Sequence, residues 1–329
     1  MNAPSLSGPL FGQRRRTLRV VALGGGHGLA ASLSALRHLD TDITAVVTVA
    51  DNGGSSGRLR DELGVLPPGD LRQALAALCS DDKWGRTWAR VLQHRFTSAG
   101  ALHDHSVGNL LIVALWELLD DHVDGLDLVG ELLGSRGRVL PMSAVPLDIT
   151  AIVRDQGAPD SATRSVRGQV EVAAMDAEVL SVRLEPDAPP ARPEAVAAIR
   201  DADWLVLGPG SWFPSVIPHL LVPELASALH DTLARRVVVL NLAGQPGETE
   251  GLSAATHLDL LAAHAPDLRV EVVLADPRAV DDHEALTAAA QRLQARLAVH
   301  QVGVTDGSAR HDPLRLASAF EQIMKQGIE

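Results

Sequence analysis

The chain has 329 residues, 46% hydrophobic and 21% charged, with a formal net charge of −12 at pH 7. That length and composition suffice for one large core or two, and exclude disorder as the dominant state. The acidic balance excludes a sequence-independent nucleic-acid or membrane surface, both of which need excess Lys and Arg, but leaves room for one small anionic ligand held by local donors.

The first sixteen residues, polar and carrying Pro and Gly, read as a flexible lead. Gln13-Arg14-Arg15-Arg16-Thr17-Leu18 superficially suggests a twin-arginine signal, but the apolar run behind it is broken by Arg19, Gly24-Gly25-Gly26 and His27. No stretch approaches the roughly 18 apolar residues of a bilayer span. The single cysteine, Cys79, can make neither an intramolecular disulfide nor a multi-thiolate metal site. The cytoplasm is the expected compartment, without membrane insertion.

Leu18-Arg19-Val20-Val21-Ala22-Leu23 reads as a buried strand ending in glycines. Residues 28–39 have helical spacing, with Leu29, Leu33 and Leu36 on one face, and Ile43-Thr44-Ala45-Val46-Val47-Thr48-Val49 is a β-branched run. Strand, helix, strand is a βαβ unit, which implies parallel strands. Residues 51–69, rich in Gly, Ser and Asp, are expected to form a loop that Pro67-Pro68-Gly69-Asp70 closes, with Asp70 as N-cap of a helix over 71–78.

A mostly helical stretch spans 84–133, in which Trp84 and Trp88, four apart, belong to a core or an interface. Residues 138–185 turn to β-type runs, and 186–193 form a Pro-rich linker. Alternation then resumes with helix 194–200, strand 204–207, a helix after Pro214, strand 237–240, a helix after Ser253 and strand 270–274; residues 312–329 look helical. The pattern predicts an α/β fold, a Rossmann-like doubly wound and mostly parallel sheet. It forms a single domain over 17–329, with a helical and β-rich insertion at about 84–185.

In such a sheet ligands sit outside the carboxyl ends of the strands, and four strand-end loops here are polar and glycine-rich. Gly24-Gly25-Gly26-His27-Gly28 lets backbone amides approach a phosphate, with a helix dipole behind them; a plain glycine turn is the alternative, since a Walker loop's Lys-Ser/Thr is missing. Asp51-Asn52-Gly53-Gly54-Ser55-Ser56-Gly57-Arg58 gathers carboxylate, amide, hydroxyls and guanidinium suited to ribose or phosphate oxygens; a solvated loop is the alternative. Gly208-Pro209-Gly210-Ser211, with Ser215 beyond it, and Asn241 through Gln245-Pro246-Gly247-Glu248-Thr249 complete the set. His103-Asp104-His105 with Asn109 invites a metal reading, but histidines two apart cannot share a helix face, so polar ligand contacts are preferred and no metal site is predicted.

As a set, Leu23-Gly24-Gly25-Gly26-His27-Gly28-Leu29, Val47 through Arg60 and Pro67-Pro68-Gly69-Asp70-Leu71-Arg72 resemble the YvcK-like gluconeogenesis factors. So do His105-Ser106-Val107-Gly108-Asn109-Leu110, Leu207 through Ser211, Ser215-Val216-Ile217-Pro218 and Gln245-Pro246-Gly247-Glu248-Thr249. The resemblance runs from about Arg19 to beyond Asp276. It implies a regulatory protein that binds UDP-N-acetylglucosamine or a similar nucleotide sugar and links gluconeogenic carbon to cell-envelope synthesis and cell shape. Neither a catalytic residue nor a required cofactor is implied. An enzyme of amino-sugar or envelope-precursor synthesis is the suggested protein partner, and a homo-oligomer stays open.

On this reading the pyrophosphate lies against Gly24, Gly25, Gly26, His27 and Gly28, with Asp51, Asn52, Ser55 and Ser56 on ribose or sugar hydroxyls. Arg58 and Arg72 supply countercharge, and Asp70, His105 and Asn109 join the site. Gly208, Gly210, Ser211, Ser215, Gln245, Gly247, Glu248 and Thr249 close the opposite side, Asn241 and Gln245 offering amides to a base or N-acetyl group. The related CofD-like 2-phospho-L-lactate transferases make transfer of a phospho-lactate group to a deazaflavin the rival activity, with Asp51, His105 and Glu248 as its acid and base candidates. Pro141-Met142-Ser143 is followed by Ala144-Val145 rather than by an Asp pair, which favours the regulator. Two departures stand out: His27 replaces Thr, and Asn52 replaces a second Asp, which speaks against a paired-carboxylate cation site there. The chain also lacks tyrosine, so any tyrosine contact of the family is lost or replaced.

Overall fold

Strands buried on both faces read as continuous apolar runs, and β1 (Leu18–Gly24) has Val20 to Leu23 all inside. The computed structural model describes residues 16–155, 157, 159, 162–174, 177–244 and 252–326, so all but the last residue of the predicted lead over 1–16 lies outside the described residues. From β1 the chain passes through α1 (Gly26–Leu36) to β2 (Thr41–Val47), which pairs in parallel with β1, the expected βαβ unit. Further out lies β3 (Arg138–Pro141), parallel to β2.

The chain then returns to the other side of β1. There β7 (Trp204–Leu207), β8 (Arg235–Val239), β9 (Val272–Ala275) and β10 (Arg296–Val299) follow in sequence, giving the order β10-β9-β8-β7-β1-β2-β3 with every pairing parallel. The direction of travel reverses between β1 and β7, and a crevice opens at such a switch point, outside the strands' carboxyl ends.

Between β2 and β3 come α2 (Gly54–Leu63), α3 (Gly69–Leu78), α4 (Lys83–Gln93), α5 (Val107–Leu119) and α6 (His122–Leu133). After β3 a separate antiparallel sheet, ordered β5-β4-β6, is built from β4 (Asp148–Asp155), β5 (Arg164–Arg167) and β6 (Ala177–Glu185), with α7 (Gln169–Ala174) between β5 and β6. The stretch read as one insertion thus contains a strand of the main sheet. The later helices are α8 (Pro193–Asp201), α9 (Pro218–Leu221), α10 (Pro223–Asp231), α11 (Ala254–His264), α12 (His283–Arg292) and α13 (Pro313–Gln326). They pack in pairs on the sheet, α10 on α8 and α12 on α11, while α1 takes both α3 and α13.

Two expectations are corrected. Residues 51–69 are not all loop, because α2 occupies Gly54–Leu63; its buried face is Ser55, Ser56, Gly57 and Leu59, polar enough that no apolar period betrays it. Asp70 is not an N-cap: α3 begins at Gly69 with Pro68 in the cap position, and Asp70 sits in the first turn without capping it. The exposed Trp84 meets the ring of Trp88 at 5.7 Å in a tilted arrangement and donates its indole N–H to Leu132 O, while Trp88 is partly buried and packs against the core.

The C-terminal strands are tied together by one carboxylate. Asp276, directly behind β9 and only 3% exposed, accepts from Val302 N (2.9 Å), Gly303 N (2.8 Å) and both the backbone N and Nε of Arg278. Replacing Asp276 with Ala strands two buried N–H groups, and we expect urea unfolding to lose roughly 2–4 kcal/mol. A loss under about 1 kcal/mol would mean that water or a main-chain shift takes over those donors.

Candidate functional site

Four helices begin at the carboxyl edge of the sheet, and none is capped by the side chain of its own cap residue; Asp70 instead accepts from Gly26 N at the start of α1, Asp51 from Gly53 N and Ser55 from Ser106 N. The cap positions are Gly25 for α1, Gly53 for α2, Pro68 for α3 and Ser106 for α5. Elsewhere α4, α6, α11 and α12 are capped by Asp82, Asp121, Ser253 and Asp282. These four starts converge. A Cβ on Gly69 would collide with Ser56 Oγ and lie 2.7 Å from Asp51 Oδ2, while one on Gly25 would lie 2.5 Å from Asp70 Oδ2. Asn109 Nδ2, one turn into α5, donates to Ser55 Oγ at 3.1 Å and reaches Ser56 Oγ at 3.5 Å. Partial positive charge from several helix ends therefore accumulates around Asp51, Ser56 and Asp70.

Asp70 is the unusual group. It is buried, with Oδ2 unpartnered, and it faces the α1 start, where Gly26 (φ +56°) supplies a backbone N–H. Burial, then repulsion from Asp51, raises its pKa to about 7 against the opposing pull of Gly26 N–H and Arg72. Asp51 and Asp70 are thus near enough for their charges to repel, and the described residues contain no cluster of three metal-binding side chains.

Arg72, also buried, donates from Nε to Asn109 Oδ1 at 2.8 Å and from Nη1 to Gln93 Oε1. Its side-chain partners are amides, with no ion pair among the described residues; burial and then Arg95 lower its pKa to about 10, so it stays charged at neutral pH. Ser55 Oγ accepts from Ser106 N and Asn109 Nδ2 and therefore donates to His105 Nδ1 at 3.0 Å. This leaves the His105 ring neutral with its proton on Nε2, in keeping with a pKa lowered by burial and then by Arg58.

Other expected ligand groups are committed to the protein itself. Arg58 reaches Ala101 O and His103 O and holds the 97–104 loop; His103 is exposed, turned away from His105, and accepts from Ser98 N. Asn241 exchanges both amide groups with the main chain of Gly210 at 2.8 Å, pinning the β7 loop to the end of β8. Asn52 bonds to Glu171 and Val170 of α7. Gly28 meets the Pro209–Gly210 backbone so closely that a Cβ has no room, which makes it a packing glycine. His27 is exposed on the first turn of α1.

Beyond β7, Gly208 (φ +77°) leads into a π-turn over Trp212–Val216, which holds Ser215 buried. Ser211 stands at the position just before that turn. Gln245, Gly247, Glu248 and Thr249 lie outside the described residues. The sequence reading did not include Gln93, Val170, Glu171 or His219. His219 donates from Nε2 to Val46 O at 3.0 Å and is held neutral by burial, with a pKa of about 4. Only their contacts, made across 21 to 173 residues of chain, reveal these four.

The Asp70 environment fixes a pH dependence. In the unfolded chain the carboxyl ionises near 3.8, whereas the folded protein holds its proton to about 7, so this group erodes stability progressively between those values and fully above them. Asp70→Asn is expected to gain on the order of 4 kcal/mol over the wild type at pH 8, with the gain shrinking toward zero near pH 4. Urea titrations at both pH values test this; an equal difference at the two would mean that the folded carboxyl titrates normally.

The chain matches the family model described as 2-phospho-L-lactate transferase CofD over residues 20–308. It is 54% identical over 308 residues to a Mycobacterium leprae protein named "Putative gluconeogenesis factor", covering 92% of this chain and 85% of that one. The Bacillus subtilis "Gluconeogenesis factor" is 35% identical over 264 residues, covering 80% of each. A crystal structure of a UPF0052-family protein from Bacillus halodurans superposes with a TM-score of 0.81 at 31% identity, over 93% of this chain and 99% of that one. With those relatives and the match to the family model, the chain belongs to the CofD family, among its gluconeogenesis-factor members.

Proposed function

We propose that the crevice binds a nucleoside-diphosphate sugar of the UDP-N-acetylglucosamine type, and that the chain is a binding and regulatory protein relating carbon supply to cell-envelope synthesis. The observation that carries this reading is the convergence of the starts of α1, α2, α3 and α5, none capped by its own cap residue, with Arg72 buried beside them and hydrogen-bonded to Asn109 and Gln93. Such a place favours an anion with several oxygens. Asp51 and Ser56 stand at its edge to accept from or donate to sugar hydroxyls.

A transferase reading takes support from the family description and from the proton-holding Asp70. Against it, the hydroxyls nearest a base are inside the protein: Ser55, bonded to His105, is buried, and Ser143 is spent on Pro190 O. A covalent route through either hydroxyl is therefore disfavoured, and direct transfer to an acceptor's own hydroxyl is the form of this reading that the titration tests.

Calorimetric titration with UDP-N-acetylglucosamine, UDP, NAD and a deazaflavin separates the two. We expect saturable binding of the UDP-sugar, weakened about tenfold to a hundredfold by Asp51→Ala with the melting temperature maintained. Wild-type affinity in that variant removes Asp51 from the site, and deazaflavin binding with no response to the UDP-sugar reverses the ranking.

A further inference from the structure

Asn52 stands on the rim of the crevice, where the family resemblance leads one to expect Asp. Its carboxamide is used at both ends: Nδ2 donates to Glu171 Oε2 at 2.8 Å, and Oδ1 accepts from Val170 N at 3.1 Å. Both partners belong to α7, the short helix carried by the antiparallel sheet. The same helix packs against the Trp212–Val216 turn behind β7. Because β1 lies between β2 and β7, a helix touching the loops behind both neighbours bridges the carboxyl side of β1.

Val172 is fully buried and roots the helix, whereas Val170 is 47% exposed and rests its Cγ2 near Gly53. Gly168, one residue before α7, has φ +105°, and a Cβ there would lie 2.6 Å from Asn52 Nδ2 and collide with Glu171 Oε2. Glycine is the residue that both adopts this turn and leaves space for the two side chains to meet. On the other side, Gly168 N donates to Ile149 O at 2.8 Å, which fixes the base of the helix to β4.

We propose that α7 is a movable cover across the ligand crevice and that the Asn52–Glu171 pair is its latch. Residue 52 needs an amide for this role, since a carboxylate would face Glu171 with like charge. The latch is an exposed hydrogen bond to a charged group, strong enough to bias the closed position and weak enough to release. That what lies beneath is a nucleotide-sugar site rests on the function proposed above; the latch itself does not.

Hydrogen exchange of the full chain, read in the peptide covering α7, tests the latch without ligand. Asn52→Asp is expected to speed exchange there about tenfold. Adding Glu171→Gln should restore it, because the new carboxamide can donate to the new carboxylate. Unchanged exchange in the first variant, or no recovery in the second, overturns the latch. In the wild type, UDP-N-acetylglucosamine should slow exchange in α7. Saturable binding with α7 exchange unaltered overturns the cover and leaves the ligand assignment standing. Absence of binding, with both variants behaving as expected, removes the ligand assignment and leaves the latched cover standing.

Discussion

Seven strands running the same way force every strand's carboxyl end, and the start of the helix that follows it, onto one edge of the molecule. The rest of the structure answers to that constraint. Backbone amides of the helix starts gather there, and the protein meets them with glycines, a serine hydroxyl and two acidic side chains from neighbouring segments where ordinary caps would stand. Asp70 shows the cost: it lies among helix ends that favour negative charge, yet burial and Asp51 outweigh them and keep its proton on to about pH 7. A group this poorly solvated is compatible with a site that waits for another charged species to share the space.

Much of the scaffold was legible because buried parallel strands are written as apolar runs. Leu18 to Leu23, Trp204 to Leu207 and the Val237 run all became strands of the main sheet, with helices between them. Ser253 caps α11 through Thr256 N, as a serine before a helical run should. Legibility failed where polarity was turned inward. The buried side of α2 is two serines, a glycine and a single leucine, so the helix carries no hydrophobic period. The short β3, four residues long, was submerged in a region whose other strands belong to a different sheet.

The site was legible as a set of loops and less so as a set of roles. Asp51, Ser55, Ser56, Asp70, Arg72, His105 and Asn109 do come together, drawn from the starts of three helices, α2, α3 and α5. Composition could not distinguish side chains aimed at a ligand from those aimed at the protein. Arg58 and Asn241 look like ligand groups in sequence, and in space each also bonds to the main chain of a neighbouring loop. Gln93 and Glu171 look like surface residues and complete the polar network around Arg72 and Asn52. Partner choice is set by contacts between distant segments, which local pattern does not encode.

The central position of β1 also bears on synthesis of the chain. Val20 pairs with Trp204, so β1 acquires its second neighbour only after nearly two thirds of the protein has been made. Until then the nascent β1-β2-β3 sheet has an apolar strand with an open edge at its growing end. Such an edge invites pairing with another chain. The crevice and the strand that closes its wall therefore form late and together, and a ribosome stalled before Trp204 would hold out an incomplete pocket beside an adhesive strand.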